Sequence, residues 1–70
     1  MFDIDAGDIG KINVFREDGE WHFVVFHYLK PIENYNYIAK VITKNFQEGM
    51  KESMVFLSFD LHEQIYERTE

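Results

Sequence analysis

IENYNYIAKVITKNFQ, residues 32–47, is the stretch on which the fold turns. Ile32, Tyr35, Ile38 with Ala39, Ile42 and Phe46 recur at helical spacing, while Glu33, Asn36, Lys40, Lys44 and Gln47 form the complementary polar stripe. Pro31 just before it and Gly49 just after it match the usual punctuation of a helix. Intrinsic propensity points the other way, because Tyr, Val, Ile and Thr favour strands. Two coherent stripes outweigh a weak propensity signal, so the spacing predicts a helix over 32–47. The alternative, a strand over 35–44, would make the protein an all-β, SH3-like small barrel.

Upstream, residues 11–29 read as a β-hairpin. Ile12 and Val14 alternate on one face of the first strand, 11–16. Asp18-Gly19 is a strong hairpin signal, because the turn requires positive φ. The second strand, 21–29, is almost continuously apolar, as a strand covered on both faces would be. Downstream, Val55, Leu57, Phe59 and Leu61 alternate with Phe56, Ser58 and Asp60, which predicts a third strand over 53–61. Asp60 and Glu63 resemble a capping box and would start a short terminal helix carrying Glu63, Glu67 and Glu70 on one stripe. The expected fold is therefore one α+β domain spanning 1–70. A small antiparallel sheet of about three strands packs with one helix and a short C-terminal helix. The expected core is Ile12, Val14, Phe23, Val25, Ile38, Ile42, Val55, Leu57 and Phe59.

A chain of 70 residues has little surface to bury and gains from good packing or oligomerisation. It has no Cys, so neither a disulfide nor a thiolate metal site is available. Seven Phe, four Tyr and one Trp exceed what a small core needs, which favours an interface built from the excess. Together with the apolar second strand, this predicts a homodimer. The start, MFDIDAGDIG, lacks the basic and apolar regions of a signal peptide, and no run approaches the ~20 apolar residues of a membrane span. A cytoplasmic protein is expected.

No motif carries chemistry. His22 and His27 lie five apart on a strand and face opposite sides, so they cannot chelate together, and His62 adds no recognised metal-ligand spacing. Asp3, Asp5 and Asp8 begin like a calcium loop, but the sixth position is Asp8 rather than Gly and the twelfth is Val14 rather than Glu. Gly7 and Gly10 lack the Lys and Ser/Thr of a phosphate-binding loop. No metal, cofactor or enzymatic activity is expected. Aromatics near Lys30, Lys40 and Lys44 suggest a stacking platform for single strands, but three lysines in a chain of net charge −6 make a poor electrostatic funnel.

The charge itself is segregated. Residues 1–20 carry Asp3, Asp5, Asp8, Glu17, Asp18 and Glu20 against Lys11 and Arg16. Residues 48–70 carry Glu48, Glu52, Asp60, Glu63, Glu67 and Glu70 against Lys51 and Arg68. The middle holds only Glu33 against three lysines. A net charge of −6 repels nucleic acid and anionic membranes and favours a basic partner. Carboxylates at alternate strand positions, about 6.6 Å apart, can imitate a row of phosphates.

In length, lack of Cys, terminal acid clusters and abundant aromatics, the chain resembles small acidic bacteriophage host-takeover proteins, including DNA-mimic inhibitors. The resemblance implies a basic, nucleic-acid-binding host protein as partner, for example a nucleoid-associated protein, and the twelve terminal carboxylates as phosphate mimics. A generic protein–protein adaptor using exposed aromatics is the alternative. A second resemblance rests on Gly7-Asp8-Ile9, Glu20-Trp21 leading into Val24-Val25, and Ile42-Thr43. These are similar to the strand order of SH3-like barrels of the toxin endoribonuclease type. Residues 20–29 contain no Arg or Lys, where such enzymes carry a basic residue, so the likeness implies a barrel more than an activity.

Overall fold

A computed structural model describes residues 1–28, 37–58 and 66–69. Five strands and one helix run in the order β1 (Phe2–Asp5), β2 (Gly10–Glu17), β3 (Glu20–His27), β4 (Ala39–Thr43), α1 (Phe46–Ser58) and β5 (Tyr66–Thr69). The sheet is open, with spatial order β1-β2-β3-β4-β5. Neighbours are antiparallel except β4 and β5, which are parallel and joined by the crossover through α1. The class is α+β with a mixed sheet.

The hairpin forms as its sequence demands. Glu17 pairs with Glu20, and Asp18 and Gly19 take φ of 54° and 77° between them. Positive φ at both turn residues matches the right-handed twist of the flanking strands. Along β2 and β3 the alternation sends Ile12, Val14, Phe23 and Val25 to one face, where all four are fully buried. Ala39, Val41 and Thr43 of β4 join them, and Ile38 and Leu57 complete the buried set.

Helix α1 covers this face. Asn45 caps it: its Oδ1 accepts a hydrogen bond from the Glu48 backbone N–H at 3.0 Å, and Glu48 places an acid in the first turn. Phe46, Met50, Ser53 and Leu57 recur at 4, 3 and 4 residues and turn toward the sheet. Phe46 sits 4.9 Å from Trp21 and 5.6 Å from Phe23, centroid to centroid. Gly49 faces the same way. A Cβ there would run into the Phe23 ring and the Thr43 methyl group, so the missing side chain sets how closely helix and sheet approach.

Three expectations are corrected. The helix predicted over 32–47 is instead a strand at Ala39–Thr43 followed by the start of α1 at Phe46, with 32–36 outside the described residues. Lys40 and Ile42 alternate with the buried Ala39, Val41 and Thr43, and three β-branched residues in five suit a half-covered sheet. The strand predicted over 53–61 is helical through Ser58. A short apolar run fits either structure by periodicity alone, and the stripe that decides it starts at Phe46, across Gly49. Gly49 lies inside that helix rather than ending another. The terminal helix fails where it is described, since Tyr66–Thr69 is a strand; Asp60 and Glu63 lie outside the described residues. Among the described residues the sheet therefore has five strands rather than about three, and it is mixed rather than antiparallel. Of the expected core, Ile42 is half-buried on the other face, Val55 is 41% exposed, and Phe59 is outside the described residues. The barrel alternative placed a strand correctly near 39–43, but the sheet does not close.

Gly49→Ala tests the packing. In an exposed helix this change stabilises by about 1 kcal/mol. Here overpacking against Phe23 should reverse the sign and cost about 1–3 kcal/mol, read as a lower urea midpoint at unchanged slope.

Candidate functional site

The face of the sheet away from α1 is covered by none of the described elements. Strand alternation places Lys11, Asn13, Phe15 and Glu17 of β2 there, with Glu20, His22, Val24 and Phe26 of β3 and Lys40 and Ile42 of β4. Phe15, His22, Val24, Phe26 and Ile42 are half-buried and form its centre. His22 stacks on Phe15 at 4.7 Å and 16°, and its buried Nδ1 has no hydrogen-bond partner. Lys11 lies 5.2 Å over the Phe26 ring. His27 is buried on the opposite face, so the two histidines are separated by the sheet, as their spacing predicted. Among the described residues no three His, Cys, Asp or Glu side chains are placed to hold a metal ion. No helix among them is long and apolar enough to cross a membrane.

Carboxylates rim this face. Asp3 and Asp5 of β1 pair in register with Asn13 and Lys11, which puts both on the same side as Phe15. Asp3 accepts a hydrogen bond from Asn13 Nδ2 at 2.6 Å, and Asp5 accepts one from the Gly7 backbone N–H at 2.7 Å. Asp8 is exposed in the following turn and Asp18 in the hairpin turn. Glu17 and Glu20 face each other directly across the ladder. No ion pair reaches these six carboxylates among the described residues.

The second acid cluster is used differently. Glu48 and Glu52, one turn apart on α1, both grip Arg68 of β5, Glu48 at 2.7 Å. Tyr66 donates its hydroxyl to Glu52 at 2.6 Å and packs its ring 4.7 Å from Phe56. These contacts latch the last strand to the helix, so Glu48 and Glu52 are occupied within the chain. Glu67 lies on the open face and accepts a hydrogen bond from the Tyr37 hydroxyl at 3.2 Å. It belongs to the far edge: β1 and β5 are four strand spacings apart, about 19 Å. Asp60, Glu63 and Glu70 lie outside the described residues. Within one chain, the described members of the second cluster are therefore split: Glu48 and Glu52 lie on α1, and only Glu67 shares the open face with the first cluster, at its far edge. Sequence reasoning missed Phe15, Lys11 and Ile42 on the open face, although the alternation that buries Ile12 and Val14 already places Lys11 and Phe15 opposite them.

No family model, curated protein or solved structure matches the chain.

The latch has a pH signature. The hydrogen bond from its neutral hydroxyl to Glu52 raises the Tyr66 pKa, with burial and the negative charge of Glu52 adding to the effect. A raised folded-state value means the contribution is fully present below tyrosine's ordinary pKa of about 10 and is lost as the pH rises through the higher value. Phenolate absorbance should show Tyr66 titrating earlier in Glu52→Gln, with Tyr66→Phe identifying the component. Arg68→Ala, which removes the cation that Glu48 and Glu52 share, should lower Tm, more so at low than at high ionic strength.

Proposed function

We propose that this chain is a non-enzymatic acidic binding protein that occupies the nucleic-acid-binding site of a basic partner and inhibits it. Small acidic bacteriophage proteins of the DNA-mimic type act in this way, and a nucleoid-associated protein in the host cytoplasm is the kind of partner envisaged. One observation carries the reading. Asp5, Asp3, Glu17 and Glu20 lie along one side of the sheet, at registers matching Lys11, Asn13 and the Glu17–Glu20 pair, with no ion pair to a cation among the described residues. Asp3 and Asp5 are about 6.8 Å apart, and Glu17 follows about 14 Å beyond the Asp3 register. Phosphates along one strand recur every ~3.4 Å, so such a row offers charge at a fraction of their density. The surface is narrower than the twelve carboxylates suggest, because Glu48 and Glu52 serve Arg68.

The adaptor reading draws support from a different observation, the half-buried aromatics of the open face. Salt separates the two. A charge mimic loses affinity steeply between about 50 and 200 mM salt, whereas an aromatic interface barely responds. The direct test is displacement of a labelled DNA duplex from purified basic nucleoid-associated proteins. The wild-type chain should displace the duplex, and Asp3→Asn/Asp5→Asn/Asp8→Asn should do so at least about tenfold less well, with a shallower salt slope. Equal displacement by both proteins would remove the carboxylate row from the mechanism. Cleavage of RNA by the purified chain would overturn the non-enzymatic assignment.

A further inference from the structure

We propose that the open face of the sheet is the seam of a face-to-face homodimer in which Lys11 of each copy lies over Glu17 and Glu20 of the other. The centre of the face is apolar and aromatic: Phe15, His22, Val24, Phe26 and Ile42. Its two ends differ in charge. Lys11, seated on the Phe26 ring, sets a cation at one end, with Asp5 in the neighbouring register. Glu17 and Glu20, directly opposed across the hairpin ladder, make the other end acidic. Like charges so placed repel, and no cation pairs with them among the described residues. The fold keeps this conflict on the face that the described elements leave uncovered, so a cation from outside would relieve it.

The register supplies that cation from a second copy. Lys11 and Glu17 are six residues apart on β2, about 20 Å. A two-fold axis lying in the interface, perpendicular to the strands and midway between the Asn13–Val24 and Phe15–His22 rows, reverses the strand direction. It brings each Lys11 over the Glu17–Glu20 pair of the other copy and each Val24 over the other His22. The contact is self-complementary, as an isologous interface requires, and both ends gain together. Sheets packed in this manner lie about 10 Å apart with strands within about 30°. A standard interface takes about 800 Å² per partner, a sixth of this chain's 4852 Å². A single-stranded nucleic acid fits less well, because Asp3, Asp5, Glu17, Glu20 and Glu67 share the face and repel phosphate.

The same axis places β1 beside β1 of the other copy. Asp3 and Asp5 of the two copies then follow one another, staggered, along one edge of the sandwich, and with Glu17 and Glu20 engaged by Lys11 they are the carboxylates left to a basic partner. The use of these carboxylates rests on the partner reading above; the dimer itself does not.

Sedimentation of the full chain up to high micromolar concentration tests the seam. The expected mass is twice 8.4 kDa. Lys11→Glu alone and Glu17→Lys/Glu20→Lys together should each weaken the dimer about three- to tenfold, and the combination of all three should restore it. Phe15→Glu, at the centre and set over Asn13 of the other copy, should give a monomer with an unchanged circular dichroism spectrum. A wild-type monomer throughout the range overturns the proposal. So does a dimer indifferent to these substitutions, or binding of labelled oligothymidine that Phe15→Glu abolishes. Asp3→Asn/Asp5→Asn leaves the seam intact, so loss of partner binding in that variant is distinguishable from loss of the dimer.

Discussion

The close approach of α1 to β3 at Gly49 is the constraint on which the rest of the molecule depends. Phe23 is fully buried beneath the helix, and Phe46 reaches across it to Trp21. Burying a side chain such as Phe23 contributes about 1.5–3 kcal/mol, so a few such contacts are a large share of what a chain this small can muster. The approach is possible because Gly49 and the fully buried Ser53 present almost nothing to the sheet. Once α1 is seated, β5 falls parallel to β4, and Arg68 finds Glu48 and Glu52 one turn apart on the helix surface.

That seating also sorts the charge. The acids of α1 serve the latch to β5, whereas the acids of β1 and of the hairpin meet no cation among the described residues along one edge and one end of the open face. The chain thus has a dry side closed by a helix and a second side with an aromatic centre and a charged rim. An apolar core with a polar rim is the ordinary anatomy of an interface.

The hairpin was legible in the sequence because its signals are local. Asp18-Gly19 dictates the turn, and the two-residue period of Ile12, Val14, Phe23 and Val25 dictates which face is buried. The second half was misread because its signals are ambiguous at short range. Ile38, Ile42 and Phe46 stand at helical spacing by coincidence: Ile38 is buried, Ile42 sits on the opposite face, and Phe46 belongs to the next element. In the run 53–58, apolar residues stand on both the inner and the outer side of a helix, Leu57 buried and Val55 exposed, which imitates a strand. Of the expected acidic surface, the exposure of Asp3, Asp5, Asp8, Glu17 and Asp18 follows from their local sequence, whereas the use of Glu48 and Glu52 within the chain does not. Nothing in the spacing of Glu48, Glu52 and Arg68 reveals that they meet, because a strand and a helix 16 to 20 residues apart bring them together.

The sequence by itself determined the hairpin, its turn and its buried face, and a net negative charge concentrated toward the ends, because these follow from single residues and two-residue periodicity. The tertiary structure decided whether 39–43 and 46–58 are strand or helix, which carboxylates pair with Arg68, and which face of the sheet α1 covers. Those outcomes depend on contacts between residues far apart in the chain. Local preference differs by tenths of a kcal/mol between the competing states, whereas packing against β3 and pairing with β5 differ by several.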